Sequence, residues 1–361
     1  MGAAAARAAR GRSRPDAVTD RPDVLVLGAG GALAERWMHG VLAGLAHASG
    51  LDLRATEQLV GTSAGAIVAA HLLAGREPVG PSDLAAALHD VAAGGGGRGA
   101  DAPTGGAAET DVAQRGADAA TGAAGDAEAS GPGRARRLLG AVGGGAGRAA
   151  RVVGAPLAPY ALAATRPPGA LLRANVLGRI ETPRATLDEL GARIARDELR
   201  FDGRLRVVCV ERESGRRVVF GAPGAPRATV AAAVQASCSV PWLYRPVRIG
   251  EHEYVDGGLW SPTSIDVAPA ARETRVLCLN PTGSAAGDAA PHGVIRTTSR
   301  SAAALEAQTL RGRGALVTIV APDRAAASAL AGGWVGQSGD DPAEQAVAAG
   351  FRQGVALARE D

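Results

Sequence analysis

The sequence predicts an α/β fold, in which strands and helices alternate along the chain and pack in layers. Short apolar runs typical of buried strands recur, and the clearest are residues 23–27, 204–211, 275–279 and 315–320. Between them lie stretches with helical periodicity. Residues 64–74 (AGAIVAAHLLA) are apolar nearly all round, which indicates a buried helix. With 361 residues, the chain can form one large domain or two ordinary ones.

The N-terminal part combines a tail with the first strand and helix. Residues 1–22 are rich in Ala, Arg and Pro and predict a disordered tail. The strand 23–27 runs into a glycine loop, and a helix is expected from about Ala34. Further on, Pro81 opens a short helix that is expected to run through Val91.

Residues 92–150 lose all periodicity and are rich in Gly, Ala and Asp, with few large apolar side chains. Such a segment cannot bury enough surface to order itself, so we predict a flexible low-complexity insertion inside the domain. Residues 134–153 mix Arg with Leu and Val. This composition suits peripheral contact with an anionic membrane surface, and a solvated, Arg-biased tether is the simpler interpretation.

The rest of the chain continues the alternation of strands and helices. The predicted elements are, in order, helix 169–177, helix 186–196, hairpin 204–220, helix 229–237, hairpin 247–255, strand 275–279, strand 315–320 and helix 325–330. Thr186 and Glu189 form a predicted capping box at the start of helix 186–196. The C-terminal segment 326–361 is expected to pack on the domain and to end in a helix near 342–359.

Composition excludes some functions. All 39 basic residues are arginine, the net charge is +3, and aromatic residues make up only 3% of the chain, so a nucleic-acid-binding surface is not expected. Cys209, Cys238 and Cys278 lie far apart without C-x-x-C spacing, which favours a reducing compartment over a disulfide framework or metal site. No secretory signal or run of ~18 apolar residues is present, so a cytoplasmic location is expected, with contact at the inner face of the membrane as a further option.

Residues 59–65 (LVGTSAG) carry a pattern typical of a catalytic nucleophile, in which a strand end, G-x-S-x-G and a buried helix follow one another. Gly61 and Gly65 lack Cβ atoms, so backbone can pass close to Ser63 in a tight strand-to-helix turn. The helix N-terminus directs free N–H groups, such as that of Ala64, toward the group that the serine attacks. In a chain with 51 glycines the motif alone is weak.

The loop 28–31 (GAGG) lies between a strand and a helix and presents backbone N–H groups to an anion, for which three interpretations compete. A dinucleotide site would require G-x-G-x-x-G, but Leu33 occupies the third glycine position. A P-loop would require G-K-[ST], which is absent. An oxyanion cradle needs only N–H groups near the carbonyl oxygen under attack, and the serine elbow after the next strand favours this interpretation.

A catalytic serine needs a general base, and the sequence offers two. Of the six histidines, only His292 is suitably placed after Asp256 for a Ser-His-Asp triad, in a loop rich in Pro, Gly and Ala. The second candidate base is Asp256 itself, which follows an apolar strand end and precedes Gly257 and Gly258. Desolvation there is expected to raise the pKa of Asp256 from ~3.9 toward a value useful for accepting a proton. A plain D-G hairpin turn is the structural alternative.

Together these motifs resemble those of the patatin-like phospholipase family, whose members are lipid acyl hydrolases with a Ser–Asp dyad. The matching stretches are the glycine loop 27–32, the pentapeptide 61–65, the segment 236–241 (ASCSVP) and Asp256-Gly257-Gly258. The resemblance implies a three-layer α/β/α sandwich, with a catalytic domain over 23–325, a lipid substrate, and no cofactor or metal. It also implies the role of each site residue: Ser63 as nucleophile, Asp256 as base, Gly30 and Gly31 as oxyanion donors, and Gly28, Gly61, Gly65, Gly257 and Gly258 as motif support. The amide of Ala64, at the N-terminus of the helix after Ser63, is a further candidate oxyanion donor.

The glycine loop departs from the family pattern G-G-G-x-[RK]-G. Ala29, Leu33 and Ala34 stand at the first glycine, the basic residue and the last glycine. Ala29 can still offer its N–H if its φ is negative. We expect the missing positive charge to affect efficiency or substrate preference but not the mechanism. The alternatives are a Ser-His-Asp esterase and a catalytically lapsed member that binds lipid or a partner. The sequence makes no prediction of oligomeric state.

Overall fold

The computed structural model describes residues 18–83, 169–284, 292–332 and 341–359. The predicted tail up to residue 17, most of the helix expected to reach Val91, the insertion and the Arg-rich segment 134–153 lie outside the described residues. Val18, assigned to the tail by composition, is buried, and its N–H donates to the carbonyl of Leu357 (2.8 Å). The end of that region therefore packs against the C-terminal helix.

The described residues form one sheet of eight strands. The strands are β1 (Val24–Leu27), β2 (Gln58–Thr62), β3 (Leu205–Glu211), β4 (Arg217–Phe220), β5 (Val247–Ile249), β6 (His252–Asp256), β7 (Arg275–Leu279) and β8 (Leu316–Val320). Their order is β5-β6-β3-β2-β1-β7-β8, and β4 also pairs with β3. Strands β3, β2, β1, β7 and β8 are parallel, whereas β4 and β6 run antiparallel to β3.

Helices cover both faces of this sheet. They are α1 (Gly31–Ser49), α2 (Ala64–Leu73), α3 (Ala170–Arg179), α4 (Asp188–Ala195), α5 (Val230–Cys238), α6 (His292–Arg311), α7 (Arg324–Gly332) and α8 (Pro342–Leu357). The side chains of β1 alternate between the faces, as a strand requires. Leu25 and Leu27 join the core formed with α1, α2 and α5, and Val24 and Val26 join the core formed with α6. This is the α/β sandwich expected from the sequence.

Helices α1 and α8 approach each other closely through two G-x-x-x-G pairs. Gly40 and Gly44 of α1 face α8, and Gly350 and Gly354 of α8 face α1. A Cβ atom added at any of the four would overlap a backbone carbonyl oxygen of the opposite helix. Because glycine has no side chain, the two backbones can pack in direct contact.

Three local predictions are wrong. Helix α4 has Leu187 at its N-cap with no side-chain cap, and the predicted capping box does not form because the Thr186 hydroxyl donates to the Asp188 carboxylate (2.8 Å). Residues assigned to a loop around His292 instead begin the 20-residue helix α6. The buried residues of α6 include small alanines, so the buried and exposed sides of this helix differ little in hydrophobicity. Helix α1 starts at Gly31, earlier than expected.

Candidate active site

Ser63 occupies the turn between β2 and α2 with φ 53° and ψ −124°, a region that side-chain-bearing residues rarely adopt. Glycines on either side make this turn sterically feasible. A Cβ atom at Gly61 would lie 2.5 Å from the Ala66 Cα, and one at Gly65 would overlap the Leu27 carbonyl oxygen. The Ser63 side chain is thereby held at the carboxyl end of β2, with 8% of the residue exposed.

Strand β3 brings the Asp256 segment to this turn. Thr62, the last residue of β2, pairs with Val208, and Asp256, the last residue of β6, pairs with Cys209. Strands β2 and β6 lie along the same edge of β3, because β4 is paired with the opposite edge at residues 207–210. Since β2 runs parallel and β6 antiparallel to β3, their carboxyl ends meet head-on.

This register brings Ser63 and Asp256 into direct contact. The Ser63 Oγ donates to the Asp256 Oδ2 at 2.7 Å, and the Gly258 N–H donates to the Oδ1 at 2.6 Å. Only 2% of Asp256 is exposed. Burial raises the pKa of Asp256 from 3.8 to about 6, and the hydrogen bonds from Ser63 and Gly258 oppose the rise. The direction agrees with the sequence-based expectation.

Ser237 is a site residue to which the sequence analysis assigned no role. Its fully buried hydroxyl accepts the Ser63 N–H (2.9 Å) and donates to the Val208 carbonyl (2.7 Å). Two residues further on, the Ser239 carbonyl accepts the Asp256 N–H (3.0 Å). The one signal for Ser237 in the sequence is its place in the segment 236–241, which precedes Asp256.

The glycine loop lies beside the same turn, and its amides divide into two sets. The Gly28 N–H donates to the Leu279 carbonyl (2.9 Å) and the Ala29 N–H donates to the Pro262 carbonyl (2.7 Å). The Ala29 N–H is therefore engaged with another loop and is not available to an oxyanion. The N–H groups of Gly30 and Gly31, together with that of Ala64, make no hydrogen bond within the described part of the chain.

Gly31 has φ 76° and is exposed, with open space where a side chain would project. A Cβ atom added at Gly30 would lie 2.5 Å from the Ala34 Cβ, so the alanine at the last family glycine leaves no room for a side chain at Gly30. A Cβ atom at Gly258 would lie 3.5 Å from that of Ala29, which places the loop next to the Asp256 turn. The loop, the serine turn and the aspartate turn are thus neighbours.

No described histidine side chain lies between the serine and the carboxylate. The direct Ser63–Asp256 bond occupies the position that an imidazole would need. His252 is exposed and faces Glu211 (3.6 Å). His292 begins α6, and its side chain is outside the described set, as is all of His89.

Glu35, His39 and His71 form a cluster of potential metal ligands, whose donor atoms lie within 4.8 Å of one another. The His39 Nδ1 accepts the Val79 N–H (3.3 Å), so the ring proton of His39 is on Nε2. The His39 Nε2 donates this proton to the His71 Nδ1, and the two nitrogen atoms are 3.4 Å apart. Burial lowers the pKa of His39 to about 3 and that of His71 to about 4, so both rings are neutral at pH 7. These contacts account for both ring nitrogens of His39 and for the Nδ1 of His71.

The described residues thus form a layered α/β protein in which a strained serine at a strand-to-helix turn lies beside a buried carboxylate. A family model described as patatin-like phospholipase matches residues 25–269. The chain therefore belongs to the patatin-like phospholipase family and is a lipid acyl hydrolase.

Two further comparisons, with curated proteins and with solved structures, do not extend this assignment. A comparison with curated proteins finds no match. Among solved structures, the crystal structure of VipD from Legionella pneumophila is similar, with 16% sequence identity and a TM-score of 0.43. The match covers 97% of this chain and 71% of that one. None of the described helices combines the length and apolar character needed to cross a bilayer.

Proposed function

We propose that this protein hydrolyses fatty acyl esters of phospholipids, lysophospholipids or acylglycerols through a Ser63–Asp256 dyad. The observation that carries the proposal is the 2.7 Å hydrogen bond between the Ser63 Oγ and the Asp256 Oδ2. A hydroxyl is a weak nucleophile at its ordinary pKa, and a carboxylate that accepts its hydrogen bond is positioned to remove its proton.

In the acylation step, the Ser63 Oγ attacks the ester carbonyl carbon while its proton passes to the Asp256 Oδ2. The oxyanion that forms accepts hydrogen bonds from the Gly30 and Gly31 amides, with the Ala64 amide as a third donor, and each such donor is worth about 3 kcal/mol. The tetrahedral intermediate collapses as the bond to the alcohol oxygen breaks and Asp256 returns the proton to that oxygen. An acyl-enzyme and a free alcohol result.

Deacylation repeats these events with water. Asp256 removes a proton from a water molecule, the hydroxide attacks the acyl carbon, and Ser63 leaves with the proton to give a free fatty acid. A pKa of about 6 suits Asp256 to this role, because the group is mainly ionised at pH 7 and still basic enough to accept a proton.

The direct test is profiling of lipid classes with the purified protein. We expect release of fatty acid from at least one class, with loss of at least ~10³-fold in Ser63→Ala and Asp256→Asn, because nucleophile and base act as a unit. Asp52→Asn, a change of an exposed aspartate, serves as a matched control and is expected to keep full activity. Alanine substitution of each of the six histidines is expected to leave most activity.

Two results would contradict the proposal. A histidine variant as inactive as Ser63→Ala would indicate a triad. Failure of a fluorophosphonate probe to label Ser63 in folded protein, together with binding of lipid, would indicate a lapsed member. These outcomes separate the hydrolase from both alternatives.

We propose in addition that the catalytic domain spans 23–325 with the segment 326–361 packed on it. The glycine contacts between α1 and α8 support this packing.

We also propose that the protein acts in the cytoplasm at the inner face of the membrane. Leu171 and Leu172, 84% and 44% exposed on α3, support membrane contact. Aspartate at both positions is expected to weaken co-sedimentation with anionic vesicles, and unchanged binding would contradict this assignment.

A further inference from the structure

Helix α6 carries a buried carboxylate that the proposed reaction does not use. Glu306 is only 2% exposed, and its Oε2 accepts two hydrogen bonds, from the Thr263 hydroxyl (2.7 Å) and from the Ile265 N–H (2.9 Å). Removing a carboxylate from water is unfavourable unless hydrogen bonds compensate for the lost hydration. These two hydrogen bonds connect helix α6 to the segment that contains Thr263 and Ile265.

Both donors belong to the irregular loop that connects the Asp256 turn to β7. Ser264 in this loop has φ 52° and ψ 40°, a left-handed conformation. The Ser261 Oγ accepts the N–H groups of Thr263 (3.3 Å) and Ser264 (3.0 Å). All of these residues are fully buried. Ile265 begins the short 3-10 helix Ile265–Val267, and the first N–H groups of such a turn have no partner within it. Because this turn is buried, its N–H groups depend on side-chain acceptors, and Glu306 supplies one from outside the loop.

The loop in turn holds the glycine loop. Pro262, next to Thr263, accepts the Ala29 N–H through its carbonyl at 2.7 Å. A Cβ atom on Gly28 would lie 3.0 Å from that same oxygen and 3.0 Å from the Leu279 carbonyl oxygen. Gly30 and Gly31, the proposed oxyanion donors, follow directly. A continuous series of contacts therefore runs from Glu306 through Thr263 and Pro262 to the amides beside Ser63.

We propose that Glu306 is a positioning residue, which holds the oxyanion loop in place from helix α6. Backbone donors stabilise an oxyanion only when they are aligned before the reaction, and a displacement of about 1 Å lowers the rate by up to ~10²-fold. The catalytic consequence rests on the proposed function, whereas the contact between the two loops does not.

The two hydrogen bonds define informative variants. Because both donors converge on one oxygen, the carbonyl oxygen of a glutamine can accept both, and Glu306→Gln is expected to preserve the loop. Glu306→Leu has a similar size but no acceptor, and it leaves the Thr263 hydroxyl and the Ile265 N–H without this partner. Thr263→Val removes one of the two donors. Leu310→Val, which removes one buried methylene a turn further along the same helix and no hydrogen-bond acceptor, is the matched control for lost packing.

Steady-state kinetics on the lipid that the protein hydrolyses test the catalytic effect. We expect Glu306→Leu to lower kcat about 10-fold or more with KM nearly unchanged, because transition-state alignment is lost and substrate binding is not. Thr263→Val is expected to act in the same direction to a smaller extent and carries the test if Glu306→Leu does not fold. Glu306→Gln and Leu310→Val are expected to keep kcat within about 3-fold. Equal losses in Glu306→Leu and Leu310→Val would overturn the proposal.

Hydrogen exchange tests the contact independently of activity. The amide of Ala29 is protected by its bond to Pro262, so peptides covering residues 27–34 are expected to exchange faster in Glu306→Leu, but not in Leu310→Val. Unchanged exchange in both Glu306→Leu and Thr263→Val would overturn the positioning role. Faster exchange in a protein that hydrolyses no ester would instead reject the proposed function and retain the contact.

Discussion

The hydroxyl of Ser237 accepts the backbone N–H of Ser63 at 2.9 Å, so the nucleophile is held through its main chain by a side chain of α5. The same hydroxyl donates to the Val208 carbonyl of β3. One buried group therefore joins the serine turn to the strand along whose edge Asp256 is paired. The strained φ of Ser63 persists because neighbours on several elements determine it.

Ser237→Ala is expected to lower both stability and turnover. The change leaves the Ser63 N–H and the Val208 carbonyl buried without this partner, which costs about 1–3 kcal/mol of unfolding free energy. Misalignment of Ser63 is expected to lower kcat about 10-fold or more. Urea unfolding and ester hydrolysis provide the measurements. Ser49→Ala is the control, because the Ser49 hydroxyl also accepts an N–H and donates to a carbonyl but lies at the end of α1.

The rate of hydrolysis is expected to increase with pH through about 6. Burial raises the pKa of Asp256 to that value, and only the ionised carboxylate can accept the Ser63 proton. The pH dependence of kcat/KM between pH 4.5 and 8 measures this step. An active-site histidine would titrate in nearly the same range, so the profile must be combined with the six histidine variants. A step near pH 4 would contradict the raised pKa.

The same ionisation is expected to lower the stability of the protein as pH rises. The folded-state pKa of Asp256, about 6, lies above the ordinary value of 3.8 for an aspartate, so between these pH values the folded state retains a proton that the unfolded chain has released. Its stabilising contribution is complete below pH 3.8 and is lost as pH rises through about 6. The loss is about 3 kcal/mol, since each pH unit between the two values is worth about 1.4 kcal/mol.

Asp256→Asn removes this titration. We therefore expect the unfolding free energy of the variant, relative to the wild type, to increase by about 2 kcal/mol between pH 4 and pH 8, because part of the change already occurs below pH 4. Denaturant titrations of both proteins at the two pH values test this. A constant difference between the proteins would show that the buried carboxylate has an ordinary pKa.

Gly44→Ala is expected to destabilise the protein without lowering kcat. Alanine favours a helix by up to ~1 kcal/mol over glycine, but here its Cβ would overlap the Phe351 carbonyl oxygen of α8, and the helices would have to separate. Gly178→Ala in α3 is the matched control, because no atom lies within 4 Å of its added Cβ. It is expected to raise the melting temperature, and equal effects of the two changes would contradict direct backbone packing of α1 and α8.

Elements specified by neighbouring residues could be predicted from the sequence. The hairpin of β3 and β4 turns around Gly215, which has φ 63°, and Thr229 caps α5 by accepting the Ala232 N–H. In these cases the residue type and its local partner lie within a few positions of each other. The raised pKa of Asp256 was also predictable, because an apolar strand end implies burial.

Contacts between distant segments could not be predicted. Glu306 lies on a helix whose buried residues include small alanines, so neither the helix nor its carboxylate has a strong pattern. Ala29 donates its N–H to a carbonyl in a loop far along the chain, and nothing local to the glycine loop indicates that partner. The periodicity of apolar residues indicates which positions are buried, but not which segment of the chain covers them.

The sequence by itself determined the class of fold, the serine turn and the acidic turn, because each depends on residues adjacent in the chain. The tertiary structure alone decided that these turns meet, although 193 positions separate Ser63 from Asp256. The physical reason is the register along β3, where β2 ends opposite Val208 and β6 ends opposite Cys209. Backbone pairing between distant strands sets that register, and no local pattern encodes it.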